Sequence, residues 1–192
     1  MFIQTEATPN PATLKFLPGK VVLEEGTADF RDAATASEAS LLAAKIFAVP
    51  GVTGVFFGYD FVTVTKAEGP EWQHLKPAIL GAIMEHFMSG APVMASATSV
   101  AATAQLEGDG EFFDTADTEI VDTIKELLET RVRPAVAQDG GDITFRGFEN
   151  GTVYLHMKGA CSGCPSSTAT LKHGIQNLLK HFVPEVQQVE AI

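Results

Sequence analysis

Between Ala91 and Gly110 the chain loses the periodicity that marks helices and strands: Ala, Ser, Thr and Gly dominate, and Val, Met and Leu stand singly. A weakly patterned run between two well-patterned halves reads as a flexible linker, so the chain is expected to fold around two cores rather than one. The expected division is a first domain over residues 1–90, a linker over 91–112 and a second domain over 113–192. No internal repeat relates the two halves.

Composition narrows the partners. With 192 residues and 45% hydrophobic content, the chain has apolar material for two small cores. Its formal net charge of -11 repels phosphate backbones and anionic lipid, so neither nucleic acid nor a membrane is expected as a partner. Met1-Phe2-Ile3-Gln4-Thr5-Glu6 lacks the basic start and apolar run of a secretory signal, and no stretch has the length of a spanning apolar helix. The expected address is the cytoplasm of a bacterium, or an organelle matrix after loss of a transit peptide. Two closely spaced thiols also suit a reducing compartment better than a secreted disulfide framework.

In the first half, residues 13–17 and 21–23 read as short strands around Pro18-Gly19-Lys20. A helix is expected over about 37–48, with Leu41, Leu42, Ile46 and Phe47 on its apolar face and Pro50-Gly51 stopping it. Residues 52–57 and 61–65 form a hairpin pattern about Gly58-Tyr59-Asp60. A last helix carries Leu75, Ile79, Ile83 and Phe87 and ends at Gly90; Pro77 implies that it starts or kinks near that residue.

The second half opens with a helix over about 118–137, striped by Ile120, Ile124, Leu127, Leu128 and Val132, with Asp114 and Asp117 available as caps. After Gly140-Gly141, the alternation of Ile143 and Phe145, the turn Glu149-Asn150-Gly151 and the alternation of Val153, Leu155 and Met157 predict a hairpin. A closing helix follows Pro165, with Leu171, Ile175, Leu178, Leu179 and Phe182 on one face, and a short strand is expected within 186–192. The fold class is therefore α/β of the α+β type: two small domains, each a short mixed sheet packed with two helices, joined by a flexible linker.

The only two cysteines, Cys161 and Cys164, lie three residues apart in Lys158-Gly159-Ala160-Cys161-Ser162-Gly163-Cys164-Pro165, where strand gives way to helix. Pro165 suits a first helical turn, whose free amides and dipole favour thiolates and an anionic metal centre. Gly159 and Gly163 permit a tight turn close to a bulky inorganic group. Tetrahedral zinc and iron–sulfur centres use four protein ligands, and this chain offers two sulfurs, so two copies supply a full set. Other readings stand beside a cluster shared between chains. They are a dithiol redox site, zinc completed by His156, His173 or His181, and an inert structural pair. His156 falls on the polar side of its strand and His173 outside the apolar stripe of its helix, which marks both as solvated residues.

The run Arg133-Pro134-Ala135-Val136-Ala137-Gln138-Asp139-Gly140-Gly141-Asp142-Ile143, followed by Gly159-Ala160-Cys161-Ser162-Gly163-Cys164-Pro165-Ser166-Ser167-Thr168, resembles the C-terminal domain of the NifU family. The first half resembles the Nfu N-terminal domain in Thr8-Pro9-Asn10-Pro11-Ala12-Thr13-Leu14-Lys15-Phe16, in Gly51-Val52-Thr53-Gly54-Val55-Phe56-Phe57 and in Trp72 through Pro77. The resemblance implies a non-enzymatic iron–sulfur scaffold or carrier. In it, Cys161 and Cys164 of two protomers hold one [4Fe-4S] cluster, or a [2Fe-2S] cluster at some stage, as a homodimer when loaded. It further implies an upstream assembly scaffold as donor and apo iron–sulfur proteins as recipients. The cysteine-bearing assembly domain and the ferredoxin-like domain of full-length NifU have no counterpart in these residues, so late carriage rather than primary assembly is expected. The thiol–disulfide oxidoreductase remains the alternative from another class.

Lesser signals complete the reading. Gly51-Val52-Thr53-Gly54 matches a GxxG pattern, but without basic neighbours it reads as a turn. The aromatic residues Phe56, Phe57, Tyr59 and Phe61 suit either a sheet core or a surface that selects recipients. Asp139 and Asp142 suit turn formation or an approach to the cysteine loop, and Lys158 suits either a solvated strand end or a counter-charge for a cluster.

Overall fold

The structure, a computed structural model, describes residues 1–95 and 110–192. The chain divides into two compact units, Met1–Gly108 and Asp109–Ile192. Residues 96–109 of the expected linker lie outside the described residues. Among the described residues no helix is long and apolar enough to cross a membrane.

In the first unit the strands are β1 (Gln4–Ala7), β2 (Thr13–Leu17), β3 (Ala28–Phe30), β4 (Val52–Phe57) and β5 (Val62–Lys66), in the order β1-β2-β5-β4-β3. Every pairing is antiparallel, so this sheet is not the mixed one expected. Three helices rather than two accompany it: α1 (Ala33–Ala39), α2 (Leu41–Phe47) and α3 (Trp72–Ser89). The expected helix over 37–48 is split at Ser40, whose backbone is extended. The Ser40 amide closes α1 on the Ala36 carbonyl, its hydroxyl oxygen accepts from the Ala43 amide to open α2, and the same hydroxyl donates to the Val93 carbonyl at 2.5 Å. One side chain thus ends one helix and caps the next. Residues 21–23 form no strand, because the amides of Val22 and Leu23 both turn to the Tyr59 carbonyl while their side chains enter the core. The core is built from Phe16, Phe30, Phe57, Val62 and Val64 of the sheet with Leu42, Ile46, Ile79 and Ile83 of the helices. α3 starts at Trp72 and runs through Pro77, since the bond that Pro77 forfeits belongs to Gln73, an exposed residue in the first turn. Residues 91–95, assigned to the linker by pattern, are tied to this unit: the Ala95 amide donates to the Ala39 carbonyl, and Val93 and Met94 pack on the core.

The second unit begins with a 3₁₀ turn (Thr115–Asp117) capped by Asp114, which accepts from the Ala116 amide. Asp117 makes no such cap bond. The single helix expected next is α4 (Thr118–Leu127), a π-helical segment (Leu128–Val132) and α5 (Arg133–Gln138). Pro134 has no amide, and its ring collides with the carbonyl four residues back. The wider turn, marked by the Arg133 amide bonding to the Leu128 carbonyl, absorbs that conflict. Then come β6 (Gly141–Glu149) and β7 (Thr152–Gly159), joined through Asn150 (φ 49°) and Gly151 (φ 77°), the two positive angles of a type I′ hairpin turn. After α6 (Pro165–Phe182), β8 (Gln188–Ala191) pairs parallel to β7, giving a mixed three-stranded sheet in the order β6-β7-β8. Ile143, Val153, Leu155 and Val189 meet Val121, Ile124, Ile175 and Leu179 in the core. Phe112, expected within the linker, bonds to β6 through the Arg146 carbonyl and the Phe148 amide.

One buried histidine in the first unit has its titration shifted by the fold. His86 of α3 is fully buried, and neither ring nitrogen has a hydrogen-bond partner among the described residues. Burial first, and the Lys45 ammonium second, push its pKa below the usual histidine value. Below about pH 6.5 the unfolded chain binds a proton that the folded chain refuses, so stability is full above that value and is lost as pH falls toward the lower folded pKa. Denaturant titrations from pH 7.5 to pH 5 are therefore expected to show a loss of stability of the first unit that His86→Leu largely abolishes.

Candidate metal centre

β7 delivers the chain to the thiols and α6 carries it away. Gly159 ends the strand at φ 62°, and Gly163 sits at φ 81° between the cysteines, a conformation that side chains disfavour. Cys164 occupies the N-cap of α6, and Pro165 its first turn. The turn is held by its own hydrogen bonds. The Ser162 amide and hydroxyl both donate to the Gly159 carbonyl (3.1 and 2.9 Å), the Thr168 amide donates to the Cys164 carbonyl (2.9 Å), and the Thr168 hydroxyl donates to the Cys161 carbonyl (3.1 Å).

Neither cysteine is in a disulfide, and the two thiols are unequal. Cys161 is 6% exposed and belongs to the core of the second unit. A Cβ added at Gly141 would lie 2.5 Å from its sulfur and 2.7 Å from the Lys158 carbonyl oxygen, so the start of β6 can pass beneath the thiol only as glycine. Cys164 is partly exposed, with its sulfur 3.3 Å from the Ser166 hydroxyl. It borders an open cleft of about 440 Å³ lined also by Gly163, Thr168, Lys172 and Glu190.

Electrostatics at Cys161 run against the expectation from the helix start. Burial first, then the carboxylates of Asp139 and Asp142, push its thiol up to about 12. The helix N-terminus begins three residues later, at Cys164, and does not offset them at Cys161. A buried, protonated Cys161 is a poor attacking thiol, and this disfavours the dithiol oxidoreductase.

Asp142 has a structural partner that sequence reasoning left unassigned. The Arg133 guanidinium donates to both of its oxygens (Nε to Oδ1 2.8 Å, Nη2 to Oδ2 2.9 Å) and from Nη1 to Glu129 (2.6 Å). The pair holds the guanidinium's pKa above its ordinary value. It joins the start of α5 to the start of β6, where Asp142 pairs with Lys158 and Gly141 with Gly159. Both residues stood within the motif that carries the resemblance, but a nine-residue separation across a helix end gives no signal of contact.

The histidines do not gather at the thiols. His156 lies on β7 with Nδ1 3.4 Å from the Arg146 guanidinium, and His173 and His181 are exposed on α6. Among the described residues no three His, Cys, Asp or Glu side chains converge to hold a metal ion. Of the aromatic residues considered for a recipient surface, Phe56, Phe57 and Phe61 are buried and only Tyr59 is exposed.

Two family models match the chain: one described as scaffold protein Nfu/NifU N terminal, over residues 3–90, and one as NifU-like domain, over residues 124–190. A Drosophila erecta protein named NFU1 iron-sulfur cluster scaffold homolog, mitochondrial, is 53% identical over 193 residues, covering 100% of this chain and 65% of its own. NifU-like protein 4, mitochondrial, of Arabidopsis thaliana is 53% identical over 194 residues, covering 99% of this chain and 65% of its own. The solution NMR structure of a NifU-like protein from Saccharomyces cerevisiae is 28% identical, covers 50% of this chain and 86% of that one, and superposes with a TM-score of 0.41. The chain thus spans just under two thirds of the length of the relatives named above. Two α+β units, the second presenting a cysteine-pair turn at a helix start, define the class. The chain belongs to the NifU family, with an Nfu-type N-terminal domain preceding a NifU-like domain.

Removing Arg133 takes away the two hydrogen bonds that its guanidinium gives the buried Asp142 carboxylate. Arg133→Ala is expected to destabilise the second unit by about 2–4 kcal/mol, less than a fully buried pair because the guanidinium is partly exposed. Urea unfolding of the variant beside the parent chain measures it.

Proposed function

We propose that this protein is a non-enzymatic carrier of an iron–sulfur cluster, held between two copies by Cys161 and Cys164 of each and passed to apo-proteins. One observation carries the reading: the chain has two thiols, and no third or fourth His, Cys, Asp or Glu ligand converges among the described residues. Soft thiolates suit iron–sulfur chemistry, and a second copy completes the coordination shell. The Drosophila erecta relative is named an iron-sulfur cluster scaffold homolog, which supports the same cargo. A [4Fe-4S] cluster, with [2Fe-2S] as its alternative, matches four thiolates from a symmetric pair.

The cluster is cargo rather than a resident cofactor. Each thiol gives up its proton on binding iron, so loading releases protons and weakens as pH falls. Delivery proceeds by exchange of sulfur ligands with a recipient, and an upstream assembly scaffold supplies the cluster by the same kind of exchange. The protein works in a reducing compartment. The mitochondrial designation of the relatives favours the organelle matrix over the bacterial cytoplasm.

Anaerobic reconstitution followed by iron and sulfide analysis and light scattering tests the reading. One cluster per two chains is expected, with Cys161→Ala and Cys164→Ala each losing nearly all bound iron while keeping the far-ultraviolet circular dichroism of the parent. A loaded single chain, or iron and sulfide retained at parental levels in both variants, would rule the proposal out.

A further inference from the structure

We infer that the two cysteines engage the cluster in a fixed order: Cys164 binds first and is surrendered first, and Cys161 binds only after the turn over residues 159–164 opens. The inference rests on the carrier reading and adds to it an asymmetry between ligands that the motif alone treats as equivalent. Cys161 lies in the core with its sulfur over the space that Gly141 leaves. A cluster several atoms across cannot reach a sulfur that faces a strand. Cys164 borders a cleft open to solvent, at the start of α6.

The turn is built to open without melting its neighbours. Gly159 and Gly163, both at positive φ, bracket it, and a Cβ at Gly163 would meet nothing within 4 Å, so its neighbourhood leaves room to move. The closed state is held by the Ser162 bonds to the Gly159 carbonyl, the Thr168 hydroxyl on the Cys161 carbonyl and the Ala160 amide on the Gly140 carbonyl. These can break while β7 and the ladder of α6 persist. Delivery takes the two sulfurs in the same order. A recipient thiol loses its proton as its sulfur bonds to iron, the Cys164 sulfur departs and takes up a proton, and no electrons change hands. A second recipient thiol then displaces Cys161 in the same way, the Cys161 sulfur takes up the proton released, and its return to the core over Gly141 draws the emptied carrier away from rebinding.

Native alkylation of the reduced, cluster-free full chain tests the order. The chain is treated with limiting iodoacetamide, and molecules carrying one label are digested so that fragmentation of the peptide spanning residues 159–172 locates it. The label is expected on Cys164, at roughly tenfold or greater excess over Cys161, with the preference lost in guanidinium chloride. Equal labelling in the folded chain, or preference for Cys161, overturns the inference. Kinetics supply a second arm: as the concentration of donated cluster rises, the rate of uptake is expected to level off at the opening rate that limits Cys161 alkylation. Uptake well above that limit also overturns it. If the parent chain takes up no iron or sulfide at all, the carrier reading fails instead, whichever thiol is labelled first.

Discussion

The second unit depends on one close approach, that of the first residue of β6 to the sulfur of Cys161. Gly141 pairs with Gly159 across the hairpin, which brings the strand's start directly under the turn that follows β7. A side chain there would occupy the place of the thiol or of the Lys158 carbonyl. The type I′ turn at Asn150-Gly151 fixes the register from the far end, and Arg133 fixes it from the near end by gripping Asp142 with two parallel hydrogen bonds. The position of the cysteine turn is thus a consequence of strand pairing, set from both ends of one hairpin.

That arrangement decides the character of Cys161. Two effects compete at the thiol. A helix start favours the thiolate, while removal from water and two nearby carboxylates favour the thiol. Burial is the largest, and the carboxylates act in the same direction, so the proton stays. The carboxylates have another use: Asp142 anchors Arg133, and so the charge that hinders ionisation at Cys161 also keeps the strand in place. A site tuned for disulfide exchange needs an exposed, readily ionised sulfur in the attacking position. Here the first cysteine of the pair is the hidden one, which on the proposed reading suits a ligand that is stored until iron displaces its proton.

Much of this was legible in the sequence where local pattern and tertiary structure agree. The hairpins at 52–66 and 141–159, the helix after Pro165 and the cysteine turn follow from alternation, turn chemistry and one proline. The misses share a cause, which is that a distant partner decided the local outcome. Ser40 breaks a continuous helical pattern because Val93, far along the chain, accepts from its hydroxyl. Val22 and Leu23 have strand composition, but one carbonyl takes both amides. β1 and β3 carry too few alternating residues to announce themselves, and they exist because neighbouring strands offer an open edge. At the site, the cysteines stood out by type and spacing. Their inequality did not, since it arises from the absence of a side chain at Gly141, twenty residues away.

The stoichiometry of sulfur connects this geometry to what a carrier must do. On the proposed reading, neither chain alone closes the coordination shell, so the cluster is the element that joins the protomers, and loading and association are one equilibrium linked by mass action. A donor that completed four ligands within one core would hold its cargo well and release it poorly. Splitting the ligands between two chains leaves the cluster at a surface where each sulfur can be exchanged singly. Burying one sulfur of each pair in the empty state gives the free chain a stable resting place for a thiol that would otherwise stand open to oxidation. On the proposed reading, the same strand pairing that hides Cys161 protects the empty carrier, and the short glycine-bracketed turn lets that protection be withdrawn when a cluster arrives.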